Sequence, residues 1–474
     1  MLSIQGKSGR LCDGISRREL LRIGGLGCLG LTLPQMLEMR SARAGAVTKD
    51  SSPTFGKAKH CILLYMWGGP PHHDTFDPKP DAPVEIRGEF GQIPTNVPGV
   101  FVSDHLPLIS QQADKYTIVR SMTHKNGDHI AVSHDMLTGN VYLKNNPIVT
   151  ARRTDYPHFG AVLSRLAPRH NGLPAYVQLP CLLRSNSGKV IPGQNGGFLG
   201  RKYDPFLVDA VPNKAPSHDP AFKQFTPNLL RLGDNLSRVR LSDRRSLAET
   251  LDQQFRQIGE SRVLEEFAGV HQQAFSLLTS PQTRRAFDLG AEDPRKRDRY
   301  GRHTFGQATL LARRLVEAGV PLITVYWRNG PVRTDIGWDN HINNFPNLKN
   351  WQLPPNDRAL SALLEDLSSS GLLEETLVVW MGEFGRSPNI DENGGRQHWP
   401  QVYSVVMAGG GIRGGEVYGA SDAHGAHPTE NPVSPMDLGA TIYHLLGIDI
   451  DTLLYDQLGA PRPVCRGRPI AGLI

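Results

Sequence analysis

The chain is 474 residues long, with 39 % hydrophobic and 21 % charged residues and a formal net charge of +6. That is the composition of a soluble globular protein with room for one large α/β domain or two domains. The first 44 residues hold seven Lys+Arg and three Asp+Glu, so they supply four of the six charges and leave +2 for the rest. With so little charge and no interleaving of basic and aromatic residues, nucleic acid is not an expected partner.

The first stretch reads as a separate signal. Ser16-Arg17-Arg18-Glu19-Leu20-Leu21 precedes a Gly-diluted apolar run from Ile23 to Leu33, and Ala42-Arg43-Ala44 places small residues as at a leader-peptidase site. This pattern describes a twin-arginine export signal over residues 1–44, read by the twin-arginine translocase, with a mature chain starting near Gly45 in the periplasm or outside the cell. The apolar run is too short and too Gly-rich for a stable membrane span. An uncleaved amphipathic helix is the alternative. Residues 45–58 read as a linker, and 59–474 as an α/β domain. Cys12 and Cys28 belong to the signal. Cys61, Cys181 and Cys465 stand alone and form neither a disulfide framework nor a C-x-x-C metal motif.

His60 to Trp67 is a continuous apolar run, the mark of a strand buried on both faces. It breaks into Gly68-Gly69-Pro70-Pro71 and then presents His72, His73, Asp74 and Asp77. Asp74 is a candidate metal ligand, although an Asp here also suits a turn. Tyr116 to Arg120 is the next strand, followed by His124, Asp128, His129 and His134. Histidines five apart do not share a helical face. They are expected to converge from a loop and the start of a helix that stops at Gly139, unless this is a His-rich surface loop. Phe159 to Leu166 reads as helix and Leu173 to Leu179 as strand. Ser185 to Asp219, rich in Gly, Pro and Asn, reads as an irregular excursion or cover. Pro227 to Leu289 reads as a helical insertion, and Arg295-Lys296-Arg297 as a solvated turn.

Phe305 to Glu317 is predicted helical and stopped by Gly319. Pro321 to Trp327 is predicted as a strand, followed by Gly337-Trp338-Asp339-Asn340-His341. A helix over Arg358 to Leu367 leads to the strand Leu377 to Met381. Just past that strand come Glu383, Phe384 and Arg386, and His398 returns through a Gly/Asn-rich loop. Tyr403 to Met407 is another strand. Gly409-Gly410-Gly411 after it is no phosphate loop, lacking the Lys-Ser/Thr and the helix. Pro435 to Leu446 is a helix capped by Gly447.

Ligands of open α/β sheets sit beyond the carboxyl ends of the strands. Asp74, Asp339, His341, Glu383 and His398 all lie there, and are expected to converge on at least one divalent cation. Carboxylate and imidazole without thiolate suit Zn²⁺, Mn²⁺, Mg²⁺ or Ca²⁺. Two such ions would clamp an in-line displacement at phosphorus or sulfur.

The segments GGPPHHDTFDPKP, GWDNHINNF, GEFGRSP and GRQHWP, with the twin-Arg leader, resemble the exported bacterial family called domain of unknown function 1501, related to alkaline phosphatases and sulfatases. The resemblance runs from about residue 58 to the carboxyl terminus. It implies an alkaline-phosphatase-like fold, a large mostly parallel sheet between helices, with Asp74 at the first-strand ligand position, Asp339 and His341 as an Asp/His ligand pair and His398 as the last His ligand. The sequence departs from that pattern at Glu383-Phe384, where active relatives carry Asp-His, so one good metal position and a weak or empty second are expected. No cysteine has the C/S-x-P-x-R context for formylglycine. Ser121 and Thr123 both follow the strand where a hydroxyl nucleophile is expected, and Ser121, with Asp128, His129 and His134, is the candidate catalytic group. The implied function is a metal-dependent hydrolase of phosphate or sulfate esters, on small molecules or polysaccharide. The alternatives are a catalytically degenerate protein that binds sugar or cell-surface material, and an assembly factor.

Overall fold

Eight runs rich in Val, Ile, Leu and aromatic residues build one sheet in the computed structural model: β1 (His60–Tyr65), β2 (Tyr116–Met122), β3 (Tyr176–Leu179), β4 (Phe206–Leu207), β5 (Leu322–Tyr326), β6 (Thr376–Met381), β7 (Tyr403–Ala408) and β8 (Glu416–Tyr418). The structure describes residues 52–142, 150–168, 172–185, 187–208, 280–327 and 337–474. The proposed export signal and most of the expected helical insertion lie outside them. The chain divides into two units, Met1–Pro53 and Thr54–Ile474, and the second holds the sheet.

The strand order is β8-β2-β7-β6-β1-β5-β3-β4. β1 is central and parallel to both β5 and β6. β3 is parallel to β5 and β4, and β8 to β2. Only β7 runs against its neighbours, pairing antiparallel with β2 and β6. The other strands therefore share one direction, and their carboxyl ends form one rim.

Every residue of β1 and β6 is buried. Ile62, Leu64, Ile323, Val325, Val378 and Trp380 face one core, while Cys61, Leu63, Tyr65, Leu322, Val379 and Met381 face the other. This alternation is the two-residue period of a strand, and covering both faces is why these strands read as unbroken apolar runs.

Among the described residues, five longer helices supply the cover: α1 (His129–Thr138), α2 (Phe159–Leu166), α3 (Thr304–Ala318), α4 (Leu353–Ser369) and α5 (Pro435–Leu445). Phe305 and Leu311 of α3 and Leu360 and Leu363 of α4 join the first core. Val132 of α1, Phe159 of α2 and Leu438 and Ile442 of α5 join the second. The starts of these helices are written in local chemistry. A capping box between Ser434 and Asp437 opens α5, and the His158 and His303 rings accept the Gly160 and Gly306 N–H groups at the starts of α2 and α3.

Three expectations change. The excursion from Ser185 contains the edge strand β4. Arg295-Lys296-Arg297 lies in a helix, Pro294–Tyr300, started by Asp293 rather than in a turn. The stretch read as a linker is tied down before β1 begins, with Gly56 donating to the His444 carbonyl at 3.0 Å and Ala58 to that of Leu445 at 2.9 Å.

Candidate metal centre

Loops from β1, β2, β5 and β6 meet on the carboxyl rim. After β1, Gly68 has φ +109°, and a Cβ there would lie 2.4 Å from the Asp339 nitrogen, so the close passage of these two loops needs glycine. The Trp338 N–H donates to the Trp67 carbonyl at 2.7 Å and fixes the Asp339 segment against β1. After β2, the Asp128 carboxylate accepts the Ala131 N–H at 2.8 Å and starts α1, so His129 is its first residue. After β6, a ribbon pairs Gly385–Arg386 with His398–Trp399 and brings His398 back beside Arg386.

Three imidazoles from three loops point their Nε2 atoms at one carboxylate oxygen. Asp339 Oδ1 lies 3.3 Å from His129 Nε2, 2.9 Å from His341 Nε2 and 3.2 Å from His398 Nε2. The other ring nitrogen of each histidine faces an acceptor. His129 Nδ1 lies 2.5 Å from Glu383 Oε1, His398 Nδ1 2.8 Å from the Gly127 carbonyl, and His341 Nδ1 2.7 Å from Gln397 Oε1. The Gln397 amide donates its NH₂ to Asp391 at 2.6 Å, which turns its oxygen toward His341. All three Nδ1 atoms therefore donate, and in the neutral rings all three lone pairs sit on Nε2.

His341 Nε2 and His398 Nε2 are 2.9 Å apart. Two lone pairs at that distance repel unless a cation lies between them. His129 Nε2 and Glu383 Oε2 are buried without a hydrogen-bond partner. Outer partners that fix each imidazole are what a metal-binding histidine needs, so the donor set fits a divalent cation. His129, Asp339 and His398 also meet the spacing of a metal-holding group among the described residues.

Without a cation, protons take its place. Burial would lower His129, but Asp339 and Glu383 outweigh it and lift the ring to about 9. Burial opposes ionisation of Asp339, yet the His129 and His398 rings facing its oxygen and the Arg386 charge hold it far below the usual carboxylate range. The His341 ring is lowered by burial, against the pull of Asp339.

Phe384 forms a wall, its ring centroid 4.7 Å from those of both His129 and His398. Arg386 is fully buried beneath. Its Nη2 donates to Asp339 Oδ1 and to the Gly68 carbonyl, Nε to the Gly69 carbonyl at 3.1 Å, and Nη1 to the Arg396 carbonyl at 3.0 Å.

The residues expected from sequence divide. Asp339, His341 and His398 come together. Glu383 touches the cluster through His129 and accepts the Gly68 N–H at 2.7 Å. Asp74 is not brought in: both its oxygens are bound by the buried Arg396, at 2.8 and 3.0 Å, and by Asn344 at 2.8 Å. Of the expected catalytic group only His129 is present, in a place that suits a ligand. Ser121 spends its hydroxyl on the Asn431 carbonyl at 2.6 Å. Asp128 caps α1, and His134 packs on Tyr142 at 4.9 Å from within that helix. His124 supports the site from behind, with Nε2 2.8 Å from the Glu383 carbonyl. The roles of Arg386, Arg396 and Gln397 were missed. Their signal was proximity in sequence to Glu383 and His398.

The sequence matches the family described as "Protein of unknown function (DUF1501)" over residues 58–474. The chain belongs to that family. No curated protein matches it. Solved structures similar to this DUF1501 chain include a protein in the alkaline phosphatase superfamily from Vibrio parahaemolyticus, 11 % identical over 88 % of this chain and 76 % of that one, TM-score 0.36. The PsFucS1 sulfatase from Pseudoalteromonas sp. is 12 % identical over 86 % and 72 %, TM-score 0.36. The phosphonate monoester hydrolase of Agrobacterium radiobacter is 12 % identical over 83 % and 74 %, TM-score 0.34. At such scores none of these likenesses bears on the chemistry of the site. Among the described residues no helix is long and apolar enough to cross a membrane.

Proposed function

We propose that this DUF1501 chain is an exported metal-dependent hydrolase of phosphate or sulfate esters, with His129, Asp339, His341 and His398 holding the metal. One observation carries the reading: three histidines whose Nδ1 atoms each face an acceptor bring their Nε2 atoms to 2.9–3.3 Å from a single carboxylate oxygen. Three imidazoles and a carboxylate suit Zn²⁺ better than Mg²⁺ or Ca²⁺. When bound, such an ion supplies Lewis acidity at a phosphoryl or sulfuryl oxygen.

The chain's own residues do the rest. Glu383 and the Gly127 carbonyl keep His129 and His398 in the tautomer that presents Nε2. The Phe384 and Trp67 rings, 4.7 and 5.1 Å from His129, shield that side from water. The more exposed His341 side chain leaves the other side open for an ester to enter. No Cys route to formylglycine is part of this proposal: Cys61 lies buried in β1, and burial pushes its thiol well above its usual range.

The test is metal analysis of the purified protein, with activity on a panel of aryl phosphates, phosphodiesters and sulfates before and after chelation. Metal-dependent turnover that is lost in His398→Ala supports the reading. A protein that takes up no Zn²⁺ or Mn²⁺ on reconstitution is the sugar- or surface-binding alternative instead. Export through the twin-arginine translocase rests on Arg17-Arg18 and Ala42-Arg43-Ala44. The Arg17→Lys/Arg18→Lys precursor should stay in the cytoplasm, and normal export would remove that part of the proposal.

A further inference from the structure

We infer that the centre is built for one divalent cation, because Arg386 supplies the charge, and Phe384 fills the space, that a second ion would need. The inference rests on the metal reading above and adds Arg386 as the reason a second ion is excluded.

The first argument is charge. Asp339 and Glu383 contribute two negative charges, Arg386 one positive, and the histidines none as ligands. That leaves −1, which one divalent ion turns into +1 and two would turn into +3. The Asp74–Arg396 pair adds nothing, since it is buried and neutral as a unit. Like charges at close range inside a protein repel strongly, and a net +3 among buried groups has no counter-charge on Asp339 or Glu383 left to offset it.

The second argument is donors. The guanidinium cannot swing away to make room, because Nε, Nη1 and Nη2 are held by the carbonyls of Gly69, Arg396 and Gly68 in a fully buried pocket. It is a permanent cation on Asp339 Oδ1. Next to Glu383, Phe384 places a ring without donor atoms against His129 and His398. Two-metal hydrolases bridge ions about 3.5–4 Å apart with shared carboxylates. Here Asp339 Oδ1 already faces three imidazoles and an arginine, and Glu383 Oε1 is taken by His129 and the Gly68 N–H, so that of Glu383 only Oε2 is without a partner. Arg386 is thus a positioning and charge-setting residue, with no N–H group shown turned toward the open side of the site.

The experiment counts ions. The full chain is stripped with chelator, dialysed against Zn²⁺, and analysed for zinc per chain alongside His129→Ala/His398→Ala, whose uptake measures binding elsewhere. The difference should be one equivalent. A difference of two overturns the inference and leaves the hydrolase proposal standing. A difference of zero removes the metal reading, and the inference with it. Phe384→His alone should still take one equivalent, because Arg386 remains; two would show that Arg386 excludes nothing. Phe384→His/Arg386→Met should gain a second equivalent, and a folded double variant that stays at one overturns the assignment to these two residues.

Discussion

Asp74→Asn separates a structural carboxylate from a metal ligand at the position where the family resemblance places a ligand. In the structure Asp74 is fully buried and receives two N–H groups from Arg396, itself fully buried. Arg396 also donates to the carbonyls of Ser387 at 3.0 Å and Ile86 at 2.7 Å, and to that of Pro388. It therefore pins both ends of the loop that returns His398 to the site. Removing one partner of a buried ion pair leaves the other charge uncompensated and costs about 3–5 kcal/mol. At about 2.1 cal/mol/K of unfolding entropy per residue, that is a fall in the unfolding midpoint of roughly 3–6 °C for a domain of this size. Asn keeps the shape and removes the charge, so the loss reads the ion pair and not a cavity. The assay is thermal unfolding of apo protein followed by Zn²⁺ titration. The expected result is a lower midpoint with one equivalent of zinc still bound, less tightly because the His398 loop is loosened. A midpoint within about 1 °C of the parent, together with lost zinc binding, would refute this reasoning and make Asp74 a ligand.

Glu383→Gln should weaken zinc binding about 10–100-fold, the usual effect of removing an outer partner of a metal-binding histidine; calorimetry checks it, and unchanged affinity would detach Glu383 from the site. His134→Ala should leave zinc uptake unchanged, whereas His129→Ala should abolish it, and equal losses would mean that α1 acts as a whole. His158 is buried, and burial lowers its ring to about 3, with Nδ1 accepting the Gly160 N–H at 3.0 Å. The folded value lies below the unfolded one near 6.5, so stability is present above pH 6.5 and is lost as pH falls from there toward 3. His158→Asn keeps a cap that does not titrate, so its unfolding midpoint should fall less between pH 6.5 and 4, and parallel curves would refute the assignment. Intact mass of the exported protein should show no cysteine converted to an aldehyde.

The strands were legible because burial on both faces leaves a continuous apolar run, and past their first residues, His60 and Thr376, β1 and β6 carry nothing else. Their direction was not written in those runs. β7, like β6, is a fully buried strand around a Val-Val pair but lies antiparallel to it, since a short return from the His398 ribbon replaces a crossover helix. The rim was legible for a related reason: polar residues that follow a buried parallel strand have only one edge of the sheet to occupy. Which of them meet depended on partners that sequence position does not rank. Asp74 sits nine residues past the end of β1 and Asp339 thirteen past the end of β5, each after a Gly-containing stretch. One is met by Arg396, whose guanidinium saturates both its oxygens. The other is met by Arg386, which reaches a single oxygen and leaves that same atom facing three imidazoles. A carboxylate saturated by arginine on both oxygens holds a loop, whereas one contacted at the atom where three histidine lone pairs converge is poised for a cation. The two arginines, ten residues apart in one loop, decide which aspartate does which.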